Sequence, residues 1–222
     1  MAIECAQIAL DSRVKLVEHL DLSCNQIGFP GLCNLVGPKS NLSNLKTLLA
    51  FSCSIQHSDT ELGVLKKFKA GKGCLKLENL RKLNLSYNNL AQIAHTIFSP
   101  QFGIISSKLE SLFLVEIGLE PESWAYLKTQ LPSTLFELDL SQNNCVTFDL
   151  GLNLPNLQTL SLANCPDLTQ NATQSYPILK RLEIQGSLKA SDSLDFLKNN
   201  ESLEYLDLSN CERTPESLEH LL

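Results

Sequence analysis

This sequence has few of the residues on which catalytic and metal sites usually depend. Its four histidines are scattered, and no spacing among them predicts a metal site: they are His19, His57, His95 and His220. The stretch "AGKGC" at 70–74 lacks the full phosphate-loop pattern, so it predicts only a flexible basic loop. No nucleophile, base and orienting group can be matched by spacing. The sequence therefore predicts a chain without cofactors and without catalytic activity.

Long apolar runs and an excess of basic charge are missing as well. No stretch is long and apolar enough to predict a membrane span, and no secretory signal is recognisable. The formal net charge is −6, from 18 Lys and Arg against 24 Asp and Glu, which disfavours a nucleic-acid partner. The basic residues that cluster between 66 and 76 are interpreted as a solvated helix end and loop.

Leucine at a fixed spacing is what the sequence has in abundance. The clearest copies are "VEHLDLSCN" (17–25), "LRKLNLSYN" (80–88) and "LFELDLSQN" (135–143). Each has apolar residues at its first, fourth and sixth positions and asparagine at its ninth. Weaker copies begin at Leu45, Leu109, Leu157, Leu179 and Leu203. Such copies, beginning 22 to 35 residues apart over almost the whole chain, indicate a repeat architecture.

The centre of each copy predicts a strand. Leu20, Asp21 and Leu22 alternate apolar and polar side chains, as in a strand that is buried on one face. One such strand cannot bury its apolar face alone, whereas stacked copies can, in a parallel sheet covered on its inner side by the returning segments.

The ninth position of each copy predicts a ladder of side chains through the stack. An asparagine amide there can bond backbone groups that a buried turn would otherwise leave unpaired. Cysteine replaces it at Cys53, Cys165 and Cys211, where a thiol fits the space but bonds less well. Ile117 and Ser187 depart from both patterns, and local irregularity is expected near them.

These copies resemble the leucine-rich repeat family, whose consensus is L-x-x-L-x-L-x-x-[N/C]. The resemblance implies an α/β fold: a curved, horseshoe-shaped solenoid with about eight parallel strands on its concave side. Helices, 3₁₀ turns and loops are expected on the convex side. We expect an N-terminal capping helix at 1–13 and one repeat domain at 14–222.

The segments that return from one strand to the next are expected to differ. "LDLSCNQIGFPGLCNLV" (20–36) resembles the ribonuclease-inhibitor type of repeat, in which an α-helix follows the turn. "HSDTELGVLKKF" (57–68), "EPESWAYLKTQL" (120–131) and "TPESLEHLL" (214–222) predict further helices, from their capping residues and early prolines. The two steps of 22 residues after Leu135 leave room only for 3₁₀ turns or extended segments.

The eight cysteines favour a reducing compartment. They occur singly, without a Cys-x-x-Cys pair, and three of them occupy predicted core positions. Extracellular leucine-rich repeat proteins carry cysteine-rich caps, and no such cap is recognisable in this sequence. The expected location is the cytoplasm, or the host cytosol if the chain is a bacterial effector.

The concave face is the predicted binding surface, since residues between the core leucines face outward there. Most are polar, but one apolar patch stands out: Leu49, Phe51, Tyr87, Phe113 and Val115. Acidic residues further along the same face favour a basic partner: Glu137, Asp139, Glu183 and Asp207. The alternative interpretation is that the long insertion at 53–80 folds over the apolar patch.

The sequence therefore predicts a non-catalytic module, monomeric on its own, that binds a protein partner. The resemblance of its first repeats to ribonuclease inhibitor implies that the horseshoe occludes an enzyme's active site as an inhibitor. Its irregular repeats also resemble those of intracellular leucine-rich proteins found among bacterial effectors, which implies an effector or an effector regulator. A second interpretation is a fragment of a ubiquitin-ligase adaptor, because "LANCPDLTQ" and "LSNCERTPESLEHLL" resemble the cysteine-containing repeats of F-box proteins. A third is a regulator of the GTPase-activating type, which "LDLSCNQIGFPGL" also resembles.

Overall fold

The computed structural model describes residues 11–56, 77–144, 146, 154–166, 168, 175–189, 192 and 194–212. Within these ranges, eight short strands form one parallel sheet in the order of the chain. The strands are β1 (His19–Asp21), β2 (Thr47–Leu49), β3 (Lys82–Asn84), β4 (Ser111–Phe113), β5 (Glu137–Asp139), β6 (Thr159–Ser161), β7 (Arg181–Glu183) and β8 (Tyr205–Asp207). The predicted fold class, a curved leucine-rich repeat solenoid, is confirmed.

The central leucine of each strand builds the core. Leu48 pairs in register with Leu83, Leu83 with Leu112, and Leu112 with Leu138, so the same position is stacked from one repeat to the next. These leucines are fully buried, whereas Leu20 at one end of the sheet is only half-buried. Each strand can therefore bury its apolar side only because a neighbour lies on it.

A left-handed residue ends every strand segment. One residue per repeat, just before the ninth position, has a φ between 49° and 67°. This conformation turns the chain from the sheet toward the convex side, and it favours glycine, asparagine and other small or polar residues. The residues are Cys24, Ser52, Tyr87, Glu116, Gln142, Asn164, Gly186 and Asn210.

The predicted asparagine ladder is present. Asn88 Nδ2 donates to the carbonyl oxygens of Leu85 in its own repeat and Ala50 in the preceding one, both at 2.8 Å. Asn143 does the same with Leu140 (2.9 Å) and Leu114 (2.8 Å). Both asparagines are buried, so each amide satisfies backbone groups of two repeats at once.

The substitutes for asparagine bond in two different ways. Cys53 Sγ donates to the carbonyl oxygen of Leu22 at 3.0 Å, and Cys165 Sγ makes a longer contact of 3.6 Å with Leu140. Ser187 Oγ donates to the carbonyl oxygen of Leu162 at 2.7 Å and accepts the N–H of Cys165 at 2.9 Å. The expected irregularity at Ser187 was wrong, because its hydroxyl both donates and accepts as an amide does.

Ile117 cannot accept a hydrogen bond through its side chain, and the backbone does so instead. Gly118 adopts a φ of 69°, and the carbonyl oxygen of Ile117 accepts the N–H of Leu90 in the preceding repeat at 2.8 Å. The same arrangement occurs at Cys53, where Ser54 has a φ of 55° and the Cys53 carbonyl oxygen accepts the N–H of Gly28 at 3.1 Å. The irregularity expected at Ile117 is present: Gly118 is a second left-handed residue in this repeat, after Glu116.

The described convex side carries three α-helices and a 3₁₀ helix. The helices α1 (Gly28–Leu35) and α3 (Pro121–Lys128) were predicted, and Pro121 lies in the first turn of α3. The helix α2 (Ala94–Ile97) and the 3₁₀ helix Asp195–Asn199 were not. The helices predicted at 57–68 and 214–222 lie outside the described residues.

The amino-terminal cap is described only from residue 11. A 3₁₀ helix, Ser12–Leu16, lies across the boundary expected at 13, and the Asp11 side chain caps it by accepting the Arg13 N–H at 2.8 Å. The rest of the predicted capping helix lies outside the described ranges. In the part of the chain that is described, no helix has both the length and the apolar character needed to cross a membrane.

Candidate protein-binding surface

The first and third residues of each strand lie on the concave side of the sheet, on either side of the buried leucine. In the third row, Leu49 pairs with Asn84, Asn84 with Phe113, and Phe113 with Asp139. Since neighbouring strands lie about 4.8 Å apart, Leu49 and Phe113 are separated by about 10 Å at the backbone. The predicted apolar patch therefore consists of two parts on either side of β3.

The polar residues between the two parts belong to the framework of the turn. Asn84 Oδ1 accepts the Ser86 N–H at 2.9 Å, and the buried Ser86 Oγ accepts the Val115 N–H at 3.0 Å. These two oxygens already accept hydrogen bonds within the turn, so a partner that covers Leu49 and Phe113 need not supply donors for them.

The five predicted patch residues are not equally accessible. Leu49, Phe51 and Phe113 are half-buried, whereas Tyr87 is 52% exposed. Val115 is only 9% exposed, because it packs at the turn, where its carbonyl oxygen accepts the Tyr87 N–H at 2.7 Å. Val115 therefore supports the position of Tyr87 and offers little contact surface of its own.

Lys82 covers part of Phe113. Its Nζ lies 4.7 Å from the centre of the ring, a distance at which an ammonium is attracted to the face of an aromatic ring. The pair crosses from the first row of β3 to the third row of β4. It brings one positive charge to the centre of the apolar patch.

Tyr87 is the one aromatic residue among the eight left-handed positions that end the strand segments. Its φ is 57°, a conformation that costs an ordinary L-residue about 1–2 kcal/mol and is rare for bulky side chains. Asparagine or glycine would satisfy the turn better, as Asn164, Gly186 and Asn210 do. The fold alone therefore gives no reason for an exposed tyrosine at this position.

Two of the predicted acidic residues also have a role in the turn. Asp139 Oδ1 accepts the Ser141 N–H at 3.0 Å, and Asp207 Oδ1 accepts the Ser209 N–H at 2.9 Å. Burial raises the pKa of Asp139 above its ordinary value, and the nearby carboxylates of Glu183 and Glu137 add to this effect against the hydrogen bonds from Ser141. The hydrogen bonds from Ser209 lower the pKa of Asp207.

Asp139 on β5 and Glu183 on β7 interact because the residue between them, on β6, is small. Ser161 on β6 pairs with Asp139 on one side and with Glu183 on the other, and its hydroxyl lies 2.8 Å from Ser141 Oγ. A serine leaves the two carboxylates facing each other across it. Negative charge therefore accumulates on β5 to β7, beside the Phe113 part of the patch.

Arg181 partly neutralises this acidic region. Its guanidinium pairs with Glu183 at 2.5 Å and lies 3.8 Å from the centre of the Tyr205 ring. Tyr205, 42% exposed on β8, was not among the predicted site residues, because only the third row of the strands and the row two residues beyond had been compared across all the repeats. Reading the first row would have found it.

A second exposed aromatic was also missed, at the amino-terminal edge of the sheet. The residue just before each strand is charged or polar in seven of the repeats. Some of these residues form ion pairs with their counterparts in the neighbouring repeat, such as Lys46–Glu18 and Lys180–Glu204, both at 2.7 Å. In the remaining repeat it is Phe136, which is 44% exposed. The contrast with the other members of its row was available in the sequence.

Nothing in the described ranges is arranged for metal binding. No three histidine, cysteine or acidic side chains there converge on a position that could hold a metal ion. The acidic residues of the concave face are instead spread along the sheet, so the arrangement fits contact with a surface.

Comparison with family models identifies leucine-rich repeats in three segments. Residues 15–35 match one leucine-rich repeat model, and 79–103 and 202–221 match another. These segments contain β1, β3 and β8. The prediction of leucine-rich repeats is thereby confirmed for these three segments, while the ribonuclease-inhibitor type of the first repeats stays a prediction.

Similar proteins are much longer than this chain. Chaoptin from Drosophila melanogaster is 28% identical over 214 residues, which cover 87% of this chain and 15% of chaoptin. Toll-like receptor 2 type-2 from Gallus gallus is 29% identical over 204 residues, covering 90% of this chain and 23% of that protein. In the structure of the TLR13–ssRNA13 complex, the receptor chain is 25% identical, with a TM-score of 0.52 over 90% of this chain and 27% of its own.

Proposed function

We propose that this chain is a non-catalytic module whose concave face binds a protein partner through Tyr87, Phe113 and the apolar residues beside them. The leucine-rich repeat fold supports the general function, because its members are typically binding scaffolds. Tyr87 is the observation that carries the proposal. A large aromatic side chain is held exposed in a conformation that disfavours it, and such strain is typical of binding sites.

The acidic residues on β5 to β7 define the charge of the partner. Glu137 and Asp139 lie on β5, the strand next to Phe113, and Glu183 lies two strands further on. Arg181 offsets only one of these charges. Charge near the centre of an interface acts mainly on partner choice and association rate, so the partner surface is basic. The TLR13 structure contains single-stranded RNA, but an acidic face and a net charge of −6 favour a protein ligand here.

The finer role that we propose is inhibition: the horseshoe covers the active site of a partner enzyme. A curved sheet can surround a convex surface, and contacts spread over eight strands leave substrate little access. The eight cysteines occur singly in the sequence, without a Cys-x-x-Cys pair, and this spacing supports a cytoplasmic location, including a host cytosol if the chain is an effector.

Affinity capture tests this function. The wild-type chain and the variants Tyr87→Asn and Phe113→Ala are used to capture proteins from a native lysate, which are identified by mass spectrometry. Gln142→Asn is the matched control, because Gln142 is also exposed and left-handed at the same position of its repeat but is not aromatic. A partner retained by the wild type and by Gln142→Asn and lost from the other two variants supports the proposal.

The identity of that partner distinguishes the finer roles. An enzyme whose activity falls when the chain is added supports inhibition. Recovery of a ubiquitin-ligase subunit supports an adaptor, and a small GTPase supports a GTPase regulator. A partner that binds all the variants equally would move the binding site away from the concave face.

A further inference from the structure

Three aromatic residues lie on a diagonal line in the backbone register of the sheet, and the two at its ends, Tyr87 and Phe136, are exposed. Tyr87 follows β3 by three residues, Phe113 is the last residue of β4, and Phe136 comes immediately before β5. In the register of the sheet, each step to the next strand moves the aromatic residue three positions toward the amino-terminal edge. These residues, here named the aromatic diagonal, connect the two edges of the concave face.

The spacing of the aromatic diagonal matches the repeat of an α-helix. With strands about 4.8 Å apart and a rise of about 3.3 Å per residue, each step spans about 11 Å, and the whole diagonal about 22 Å. An α-helix presents the same face again after seven residues, or about 10.5 Å. An extended peptide covers about 10 Å between residues i and i+3, but the side chains of these two residues point to opposite faces.

The two sides of the diagonal differ in charge and polarity. On the side toward β5 to β7 lie Glu137, Asp139 and Glu183. On the side toward β2 lie the half-buried Leu49 and Phe51. A helix that lies along the diagonal therefore needs a basic flank on the first side and an apolar flank on the second.

We propose that the partner binds with an amphipathic α-helix of about 15 residues, laid along Tyr87, Phe113 and Phe136. Its apolar residues, at i, i+7 and i+14, contact the three aromatic rings, and its Lys or Arg residues lie over Glu137, Asp139 and Glu183. This proposal rests on the proposed function, since it names the element by which the partner engages the same face.

A peptide selection tests the helix directly. A phage-displayed library of random peptides, each about 18 residues long, is selected on the immobilised full chain. It is then depleted on the same chain carrying Tyr87→Asn and Phe136→Ser. The sequences that remain should have apolar residues at i, i+7 and i+14 with Lys or Arg on one flank, and their synthetic peptides should gain helical circular dichroism on binding.

Single variants provide the controls for these peptides. Tyr87→Asn and Phe136→Ser should each weaken binding by roughly tenfold or more, as expected for aromatic anchors. Tyr205→Ser should change affinity by less than about twofold, since Tyr205 is an exposed aromatic on the same sheet but off the diagonal. Apolar residues at alternate positions, an acidic consensus, or no enrichment that depends on the aromatic diagonal would overturn the helix.

Failure of the helix and failure of the proposed function give different results with the captured partner. If its capture depends on Tyr87 and Phe113 but is unchanged in Phe136→Ser, the diagonal helix is wrong and the protein-binding function stands. If its capture is unchanged in all three variants, the proposed function itself is wrong.

Discussion

Asn88 Oδ1 accepts the backbone N–H of Cys53 at 2.9 Å and that of Ile55 at 3.0 Å, across 35 and 33 residues of sequence. Asn88 Nδ2 donates to the carbonyl oxygen of Ala50 in the same preceding repeat. One buried amide therefore fixes the position of one repeat on another. Asn25, in the first copy, is exposed, and among the described residues it bonds to Leu22 and Ser23 of its own repeat alone.

This difference predicts unequal effects of two identical substitutions. Asn88→Ala should lower the free energy of unfolding by about 3 kcal/mol, because it leaves several buried backbone groups unpaired. Asn25→Ala should change it by no more than about 0.5 kcal/mol, because water replaces its hydrogen bonds. Equilibrium unfolding in urea measures both, and equal losses would contradict the ladder described here.

The folded protein should become more stable when Tyr87 is replaced by asparagine. Tyr87→Asn should raise the free energy of unfolding by about 1 kcal/mol, because asparagine tolerates the left-handed conformation. Gln142→Asn, at the same position of another repeat, should also be stabilising. Thermal unfolding of both variants checks this. A clear loss of stability in Tyr87→Asn would mean that the tyrosine has a structural role.

The two turn aspartates should respond to pH in opposite directions. The pKa of Asp139 is raised, so folding takes up a proton there, and this contribution to stability is lost as pH rises through the folded-state pKa. Asp139→Asn should therefore raise the melting temperature at pH values above that pKa, and the gain should fade as the pH falls. The pKa of Asp207 is lowered, so its contribution is present at neutral pH and lost in acid.

Asp207→Asn is accordingly the matched control, and it should lower the melting temperature at neutral pH and have less effect in acid. Asparagine keeps the oxygen that accepts the serine N–H in both turns, which a charge reversal would not do. Melting curves from acid to neutral pH measure the comparison. If the two variants shift in the same direction at neutral pH, the electrostatic account of the concave face is wrong.

The thiols should differ in reactivity according to burial. Cys24 is exposed, whereas Cys53 and Cys165 are buried and directed at backbone carbonyl groups. Iodoacetamide should label Cys24 roughly 100-fold or more faster than the two buried thiols, which become accessible only when the chain opens. Peptide mapping by mass spectrometry separates these sites. A disulfide at either buried cysteine in freshly purified protein would contradict the cytoplasmic location that we propose.

The sheet was predictable because its determinants repeat. The buried leucines and the ninth-position asparagines are local signals that recur in phase, and each recurrence supports the others. The hydrogen bonds between repeats at the amino-terminal edge of the sheet were not predicted. There Asn79 and Asn156 donate to the carbonyl oxygens of Ser43 (3.1 Å) and Ser133 (2.9 Å) in the preceding repeats. An asparagine before a leucine gives no signal by itself, because its acceptor lies in another repeat.

The binding surface was only partly predictable. Alternation indicated that Phe113 faces outward, but exposure depends on neighbours that the spacing does not identify. The burial of Val115 follows from its place at the turn beside Tyr87, and the partial cover of Phe113 comes from Lys82 on the next strand. Phe136 and Tyr205 were missed because their rows had not been compared across the repeats.

The central claim is that Tyr87 is exposed in order to bind a partner. The measurement that tests it most directly is the dissociation constant of the captured partner, by isothermal titration calorimetry, with the wild type, Tyr87→Asn and Gln142→Asn. Both variants are expected to be at least as stable as the wild type, so unfolding cannot account for lost binding. We expect Tyr87→Asn to weaken binding by about 30-fold, or about 2 kcal/mol, and Gln142→Asn to bind like the wild type. Equal affinity in all three would contradict the claim.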